Sequence, residues 1–172
     1  MGDPRLLDPD SLGDHVDRLY RAAWGLCGRR EDAEDLVQET YAKVLARPRF
    51  LRNDDDLGYL LRVLRNVFYT QHRTAQRRPR TQAMPEDVEL ADQRPALRPD
   101  QAVEAKQVFA VIASLPDDFR DALVAVDVAG LTYGEAAKLL KTKEATITSR
   151  LHRARARVAA GMESAPASVL DG

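Results

Sequence analysis

The stretch "LTYGEAAKLLKTKEATITSRLHRARARV", residues 131–158, decides the fold of the C-terminal part of the chain. Thr132 with Glu135 three residues later is the pattern of a capping box, which predicts that a short helix starts there. A brief connection, "LKTKEA", then leads to a second helix, for which Thr142 is the expected cap. In that helix the apolar residues recur at helical spacing, at Ile147, Leu151, Ala154 and Val158. A short helix, a turn and a longer helix predict a helix-turn-helix.

The second helix has one face built of small, hydroxylated and basic residues. With the apolar stripe buried, a rotation of about 100° per residue points six side chains away from the core, with Arg150 and Arg157 flanking them. The six are Ala145, Thr148, Ser149, His152, Arg153 and Ala156. Hydroxyls and histidine can bond to base edges or phosphates, and arginine can bind guanine with two hydrogen bonds. The alternative is an ordinary solvated basic helix. Acidic residues are nearly absent, whereas a merely soluble face usually mixes the signs of charge, so the pattern favours nucleic acid.

Helical spacing also covers most of the preceding chain. The first predicted helix covers residues 16–27 and ends at Gly28, and the second ends before Pro48. A third, longer helix starts at residue 57 and is closed by Pro79. Residues up to about 100 then contain four prolines and little periodicity, which is typical of a linker.

Helices resume after this linker. One ends near Pro116, and another is predicted for residues 117–129, with Gly130 suited to its C-terminal cap. No segment alternates convincingly as a strand would. We therefore predict an all-α chain of two small helical domains joined by an extended linker, the C-terminal one a helix-turn-helix. The predicted boundaries are 1–78 for the first domain, 79–100 for the linker, 101–160 for the second domain and 161–172 for a tail.

The composition limits the class of protein. The chain has 172 residues, 44% of them hydrophobic, which is enough for a core. The net charge is only −1, so nucleic-acid affinity must come from local segregation of charge. The single cysteine, Cys27, lies on an apolar helix face and excludes an internal disulfide and a cysteine-rich zinc site. With no apolar run that could span a bilayer and no signal peptide, we expect a cytoplasmic protein without membrane insertion.

The long third helix carries a second candidate surface. Opposite its leucine face lie basic, amide and aromatic residues, namely Tyr59, Arg62, Asn66, Tyr69 and Arg73. Arginines can hold a nucleic-acid backbone while tyrosine rings stack on unpaired bases. The alternative is a surface helix with two incidental tyrosines. Two basic faces in two domains indicate one protein that touches one DNA at two places.

The segment "EDAEDLVQE", residues 31–39, is acidic without a basic residue. Catalytic carboxylates would need a partner acid, base or metal cluster, and no segment points to one. His15, His72 and His152 lie in three different segments without metal-ligand spacing, so we expect no metal, no cofactor and no enzyme activity. The acidic face is either simply solvated or a docking surface for a basic protein.

Together, "DAEDLVQETYAKVLAR", "LGYLLRVLRNVFYTQHR" and "LPDDFRDALVAVDVAGLTYGEAAKLL" with "TITSRLHRARARV" resemble the extracytoplasmic-function (ECF) group of bacterial RNA polymerase sigma factors. The resemblance covers most of residues 14–158. It implies an alternative sigma factor that binds core polymerase, directs it to promoters and promotes DNA melting. The first domain would recognise and open the minus-ten element, and the second would recognise the minus-thirty-five element. The implied partners are promoter DNA, the clamp coiled coil of the largest polymerase subunit, the flap region and an anti-sigma factor.

The resemblance also assigns residues. "DLVQE" is similar to the clamp-docking motif, which implies contacts by Asp35, Gln38 and Glu39. The loop "RPRFLRNDDD" is similar to the one that captures a flipped minus-ten base, which implicates Phe50, Asn53 and Asp54. The minus-thirty-five contacts fall on Thr148, Ser149, His152 and Arg153, which are among the residues that the helical wheel selects.

Three positions depart from the family pattern. Tyr59 stands where many relatives have tryptophan, and Thr148 where a basic residue is frequent. The turn has Lys141 where glycine is usual, and lysine tolerates a positive φ less well, so a looser turn is expected.

The alternative function is a helix-turn-helix transcriptional activator. Such a protein would bind closed DNA and would not need the "DLVQE" docking surface.

Overall fold

The computed structural model describes residues 5–51, 55–77 and 99–164, and within these ranges it confirms the all-α class. The helices are α1 Val16–Cys27, α2 Arg30–Ala46, α3 Asp56–Arg77, α4 Pro99–Ala113, α5 Asp117–Leu123, α6 Tyr133–Leu140 and α7 Glu144–Ser164. A 3₁₀ helix, Pro9–His15, precedes α1, and a π-helical turn, Val124–Val128, follows α5. Most of the predicted linker and residues 165–172 of the tail lie outside the described residues. Helix α4 begins inside the predicted linker, and α7 ends inside the predicted tail.

One short β-ribbon was not predicted from the sequence. Strand β1, Arg5–Leu6, pairs antiparallel with β2, Phe50–Leu51. Each strand has only two residues, which is too short for a period-two pattern to be recognised.

Helices α1, α2 and α3 form the first helical domain. Their apolar faces meet in a core in which Leu19, Leu36, Leu60 and Leu64 are almost completely buried. Gly28 ends α1 with φ 76°, a left-handed conformation that suits a glycine C-cap, as predicted.

Helices α4 to α7 form the second domain, in which Ile147 and Leu151 of α7 are buried. The predicted capping box is confirmed, because the Glu135 N–H donates to Thr132 Oγ1 at 3.2 Å and the Thr132 N–H donates to Glu135 Oε2 at 2.8 Å. Lys141 adopts φ 54°, and the following N–H of Thr142 donates to the Ala137 carbonyl at 3.0 Å. The turn is therefore tight despite the lysine.

Two local expectations about the second domain were wrong. Helix α7 starts at Glu144, so Lys143 rather than Thr142 precedes its first residue. The helix predicted for residues 117–129 changes at Val124 into a π-helical turn, in which the Ala129 N–H donates to the Val124 carbonyl at 2.8 Å. Such single wide turns have no periodic sequence signal, because the apolar residues continue through them.

The two domains pack on each other along α1. The Trp24 ring stacks on Phe109 of α4 with centroids 4.3 Å apart and planes at 16°. A Cβ atom on Gly25 would lie 2.9 Å from Cγ2 of Val124, so α1 approaches the π-helical turn closely. We call the contact of α1 and α3 with α4, α5 and this turn the domain junction.

Candidate nucleic-acid and protein interfaces

The acidic face of α2 is open. Ala33, Leu36, Val37, Thr40 and Val44 are buried on one side of the helix. The three predicted docking residues Asp35, Gln38 and Glu39 are exposed on the other. Their fixed spacing on a packed helix presents two carboxylates and an amide to solvent, a surface that complements a basic protein.

Helix α7 presents the predicted base-reading face to solvent. Thr148, Ser149, His152 and Arg153 are all exposed, while Ile147, Leu151 and Ala154 of the apolar stripe are buried. The hydroxyls of Thr148 and Ser149 currently donate to carbonyls of their own helix, at 3.0 and 3.1 Å. Each hydroxyl keeps its acceptor lone pairs, so both can accept a hydrogen bond at a base edge, and either can donate there only by giving up its bond to the helix carbonyl.

The arginines of α7 are not equivalent. Arg155 makes two hydrogen bonds to Asp127, at 2.9 and 2.7 Å, and Arg150 pairs with Asp118 at 3.5 Å. Arg157 lies over the Phe119 ring, 5.1 Å from its centroid. By contrast, Arg153 is exposed and makes no ion pair or hydrogen bond within the described part of the chain. Three arginines thus contact other residues of their own domain, whereas the guanidinium of Arg153 is open to solvent.

The predicted stripe on α3 is only partly open. Arg62, Asn66 and Arg73 are exposed, but Tyr59 and Tyr69 are half-buried against the core. The helical-wheel expectation that all five residues face away from the core was therefore wrong for the two tyrosines. For Tyr69 the reason is that the wheel treats α3 as packed on one side only, whereas the second domain also packs against this helix.

Tyr69 belongs to a polar network in the domain junction. Its hydroxyl donates to Asp121 Oδ2 at 2.7 Å and accepts from Arg120 Nη2 at 2.7 Å. Arg65 Nε donates to the same carboxylate oxygen at 3.0 Å. Arg120 and Asp121 are each 6% exposed, and the Arg120 guanidinium also lies 5.0 Å from the centroid of the Phe68 ring. Burial first, and then Asp121, raise the pKa of Tyr69 above its ordinary value.

This junction network was missed by the sequence analysis. Arg120 and Asp121 are neighbours in "DDFRDAL", a charged segment that resembles a solvated helix face. Their burial depends on α3, whose residues lie about fifty positions earlier in the chain. Buried charges of this kind are tolerated when they are paired and hydrogen-bonded, and here only the Nε atom of Arg120 is buried without a hydrogen-bond partner in the described structure.

A groove beside the junction contains Cys27. Its walls also include Asp32, Phe68, Ala113 and Arg120, so both domains contribute. Burial, reinforced by the nearby carboxylate of Asp32, raises the pKa of the Cys27 thiol to about 12. The thiol is therefore protonated at neutral pH, and this agrees with a packing role.

Of the predicted base-capture residues, Phe50 lies in strand β2 of the ribbon. Phe50 in β2 is 70% exposed, although its ring is large and apolar. Asn53 and Asp54 lie outside the described residues.

Among the side chains that the structure describes, no group of three or more His, Cys, Asp or Glu residues could hold a metal ion. Over the same ranges, no helix is both long and apolar enough to cross a membrane.

Two family models match the chain at the places where these surfaces lie. The model of sigma-70 region 2 matches residues 12–78, and that of sigma-70 region 4 matches residues 105–158. The first match contains the acidic face and the α3 stripe, and the second contains the helix-turn-helix.

Several curated proteins are similar to the chain. The ECF RNA polymerase sigma factor SigE of Mycolicibacterium smegmatis is 37% identical over 144 residues, which are 82% of this chain and 56% of that protein. This chain thus spans little more than half the length of that relative. The ECF RNA polymerase sigma factor EcfG of Rhodopseudomonas palustris is 33% identical over 162 residues, which are 88% of this chain and 84% of that protein.

Solved structures share the fold. The sigma factor RpoE of Bartonella quintana, in complex with the anti-sigma factor NepR, superposes with a TM-score of 0.67 and 25% identity. The superposition covers 91% of this chain and 97% of that one. CnrH in complex with the cytosolic domain of CnrY has a TM-score of 0.61 at 20% identity, over 91% of this chain and 88% of that one.

Proposed function

The chain belongs to the extracytoplasmic-function sigma factors of bacterial RNA polymerase, and from that membership we propose that it acts as an alternative sigma factor. It binds core polymerase in the cytoplasm, directs the enzyme to a class of promoters and promotes melting of the start site. The catalytic residues are those of the polymerase, and this chain supplies none. Residues 1–78 form the docking and minus-ten domain, 79–100 the linker, 101–160 the minus-thirty-five domain and 161–172 a tail.

In this proposal the acidic face of α2 docks on the polymerase. Asp35, Gln38 and Glu39 contact the basic clamp coiled coil of the largest subunit, and the second domain meets the flap region. The support is that all three side chains are exposed on a helix whose other side is packed. Charge complementarity of this kind increases the association rate and fixes the orientation of the complex.

The open face of α7 reads the minus-thirty-five element. Thr148, Ser149, His152 and Arg153 contact base edges, since the N-terminal half of a recognition helix is the part that reaches the bases. The support is their shared exposure and the free guanidinium of Arg153. The other arginines of α7 already have partners in their own domain and act on the DNA less directly.

The first domain binds the melted minus-ten strand. Arg62, Asn66 and Arg73 form an exposed track along α3, and Phe50 offers an exposed ring. Asn53 and Asp54 remain predicted contacts in the adjoining loop. Tyr69 completes the track only when Asp121 and Arg120 release its hydroxyl. Promoter melting therefore requires α5 to move away from α3.

We also expect an anti-sigma factor as a partner. The structural relative RpoE of Bartonella quintana is bound to the anti-sigma factor NepR, and this chain covers 97% of it. The closed domain junction of this chain is a form that such a partner would stabilise, because it keeps Tyr69 of the α3 stripe from DNA.

The single observation that carries the proposal is the combination, in one chain, of an exposed acidic face on α2 and exposed basic residues on α3 and α7. Transcription by purified core polymerase on a promoter library tests it. We expect promoter-specific run-off transcripts only when this chain is added. The free chain binds duplex DNA poorly, because its net charge is −1 and the acidic helix repels phosphates. Tight, sequence-specific binding of duplex DNA by the isolated chain, without polymerase-dependent transcripts, would support the transcriptional activator instead.

A further inference from the structure

The N-terminal strand β1 lies directly beside the exposed ring of Phe50. In the antiparallel ribbon, Leu6 is the cross-strand partner of Phe50, and Arg5 is the partner of Leu51. Directly opposite residues of an antiparallel pair point to the same side of the ribbon. Leu6 and Phe50 are accordingly both exposed, at 48% and 70%, while Leu51 is half-buried on the other side.

Several contacts hold this strand in place. Arg5 Nη2 makes an ion pair with Asp56 Oδ1 at 2.6 Å, and Asp56 is the buried first residue of α3. Leu7, the next residue after β1, is 7% exposed, and Leu12 is 6% exposed. The segment is thus attached to the core behind the ribbon, to β2 and to the start of α3. Its position relative to Phe50 is set by packing as well as by the ribbon itself.

The exposed pair has the chemistry of a site for an unpaired base. Two large apolar side chains that are directly opposite each other form a continuous patch, unlike single exposed residues, which need no explanation. Arg47 and Arg49, which precede Phe50, are also exposed. An aromatic ring with apolar and cationic neighbours is the combination that proteins use to bind single-stranded nucleic acid.

We propose that Leu6 extends the Phe50 ring into one platform for an unpaired promoter base, and that Arg5 positions the strand that carries Leu6. This inference rests on the proposed sigma function and adds the N-terminal strand to the minus-ten site. Arg5 is a positioning residue, since it acts through Asp56 and β1. Leu6 is a specificity residue, since it touches the base.

The test uses the full chain bound to core polymerase. The probe is a fluorescein-labelled single-stranded oligonucleotide from the minus-ten region of a promoter selected in the library experiment. A set of such oligonucleotides carries an abasic site at each position in turn. Binding is measured by fluorescence anisotropy for the wild type and for Leu6→Ser, Leu6→Met, Arg5→Gln and Val103→Ser. Val103 is the matched control, because it is 51% exposed and lies on α4 of the other domain.

We expect Leu6→Ser to bind the intact oligonucleotide about 3- to 10-fold more weakly than the wild type does. An abasic site at one position of the oligonucleotide should reduce the binding affinity of the wild type. The same abasic site should reduce the affinity of Leu6→Ser much less. Arg5→Gln should reduce the same discrimination, whereas Leu6→Met and Val103→Ser should keep it. A general loss of stability would weaken binding to every oligonucleotide alike and would leave the position-dependent difference unchanged.

Two results are distinguishable failures. If the wild type drives run-off transcription but Leu6→Ser discriminates abasic positions as the wild type does, the platform is wrong and the sigma function stands. If the wild type itself neither transcribes with core polymerase nor binds the oligonucleotides, the proposed function fails and the platform fails with it. Because Leu6 is about half-exposed, replacing it is expected to change the stability of the protein little. A thermal melt of each variant checks this.

Discussion

Replacing Tyr69 by phenylalanine separates two roles that the structure gives to this residue. The hydroxyl holds the domain junction closed through Asp121 and Arg120, whereas the ring is the group proposed to stack on a melted base. Tyr69→Phe removes the first role and keeps the second. Tyr69→Ala removes both. The two variants should therefore differ in DNA opening but agree in loosening the junction.

The free-energy cost of Tyr69→Phe follows from the groups that lose the hydroxyl as a hydrogen-bond partner. Asp121 keeps Arg65 at 3.0 Å and Arg120 at 3.4 Å, so the carboxylate remains paired. Arg120 loses a 2.7 Å bond, and its Nε atom is already buried without a hydrogen-bond partner in the described structure. Leaving buried polar groups unsatisfied costs about 1–3 kcal/mol, and we take about 2 kcal/mol because part of the network remains. A cost of about 2 kcal/mol would raise the population of molecules with a separated domain junction about 30-fold, since every 1.4 kcal/mol is tenfold.

Alkylation of Cys27 by iodoacetamide reports on the junction. The thiol lies in a groove to which Ala113 and Arg120 of the second domain contribute, and its raised pKa of about 12 makes the reactive thiolate rare. Separation of the domains exposes the thiol and lowers its pKa. Labelling of the free protein should therefore accelerate in Tyr69→Phe, by up to about 30-fold when opening and closing are fast relative to the reaction.

The matched control for this experiment is Tyr41→Phe. The Tyr41 hydroxyl donates to the Leu12 carbonyl at 3.0 Å, inside the first domain and away from the junction. Tyr41→Phe should destabilise the protein modestly without accelerating the labelling of Cys27. A wild-type labelling rate in Tyr69→Phe would refute the claim that this network holds the domains together.

DNA opening is followed with the same variants by permanganate reactivity of thymines near the start site. Tyr69→Phe should open the promoter at least as readily as the wild type does, because it keeps the ring and releases α5 more easily. Tyr69→Ala should lose about 1–3 kcal/mol of opening free energy if a base stacks there. A pre-melted promoter bubble should partly restore transcription by the alanine variant. Equal defects in the two variants would show that the hydroxyl, rather than the ring, acts on the DNA.

Three further predictions test the other surfaces. The double variant Asp35→Lys, Glu39→Lys should fold normally, since both side chains are exposed. It should bind core polymerase more weakly than the wild type in competition with another sigma factor, and unchanged affinity would contradict the docking assignment. Arg153→Ala should cost about 1–3 kcal/mol of promoter binding and relax the base preference at one position of a randomised upstream element. Arg157→Ala should leave the base preference unaltered, and the reverse result would mean that the wrong face of α7 has been assigned. Folding raises the pKa of the Cys27 thiol to about 12, so the folded state binds this proton more tightly than the unfolded state does. The resulting stabilisation is complete below the ordinary thiol pKa of about 8.5 and is lost as the pH rises from there towards 12. Urea unfolding between pH 8 and 11 should therefore show a shallower decline in Cys27→Ala than in the wild type, and parallel curves would contradict this.

The amino-acid sequence determined the local features of this protein. The first helix with its Gly28 cap, the capping box of Thr132 and Glu135, and the inward stripe of the last helix all follow from contacts within a few residues. Side-chain direction along a helix repeats every 3.6 residues, so a stripe of apolar residues is enough to tell which side faces the core. For this reason, the outward face that contains Ser149 and Arg153 could be selected before the structure was known.

The tertiary structure decided which of the selected residues are free to act. Tyr69 lies on the predicted face of α3, yet it is bonded to Asp121, a residue 52 positions later in the chain. Leu6 meets Phe50 only because a two-residue strand folds back against the start of α3. Such contacts join residues that are distant in sequence, and their energy depends on burial and on partners that a local pattern does not contain. Helix periodicity can assign a side chain to a face, but only the packing of the domains decides whether that face is covered by protein or left open.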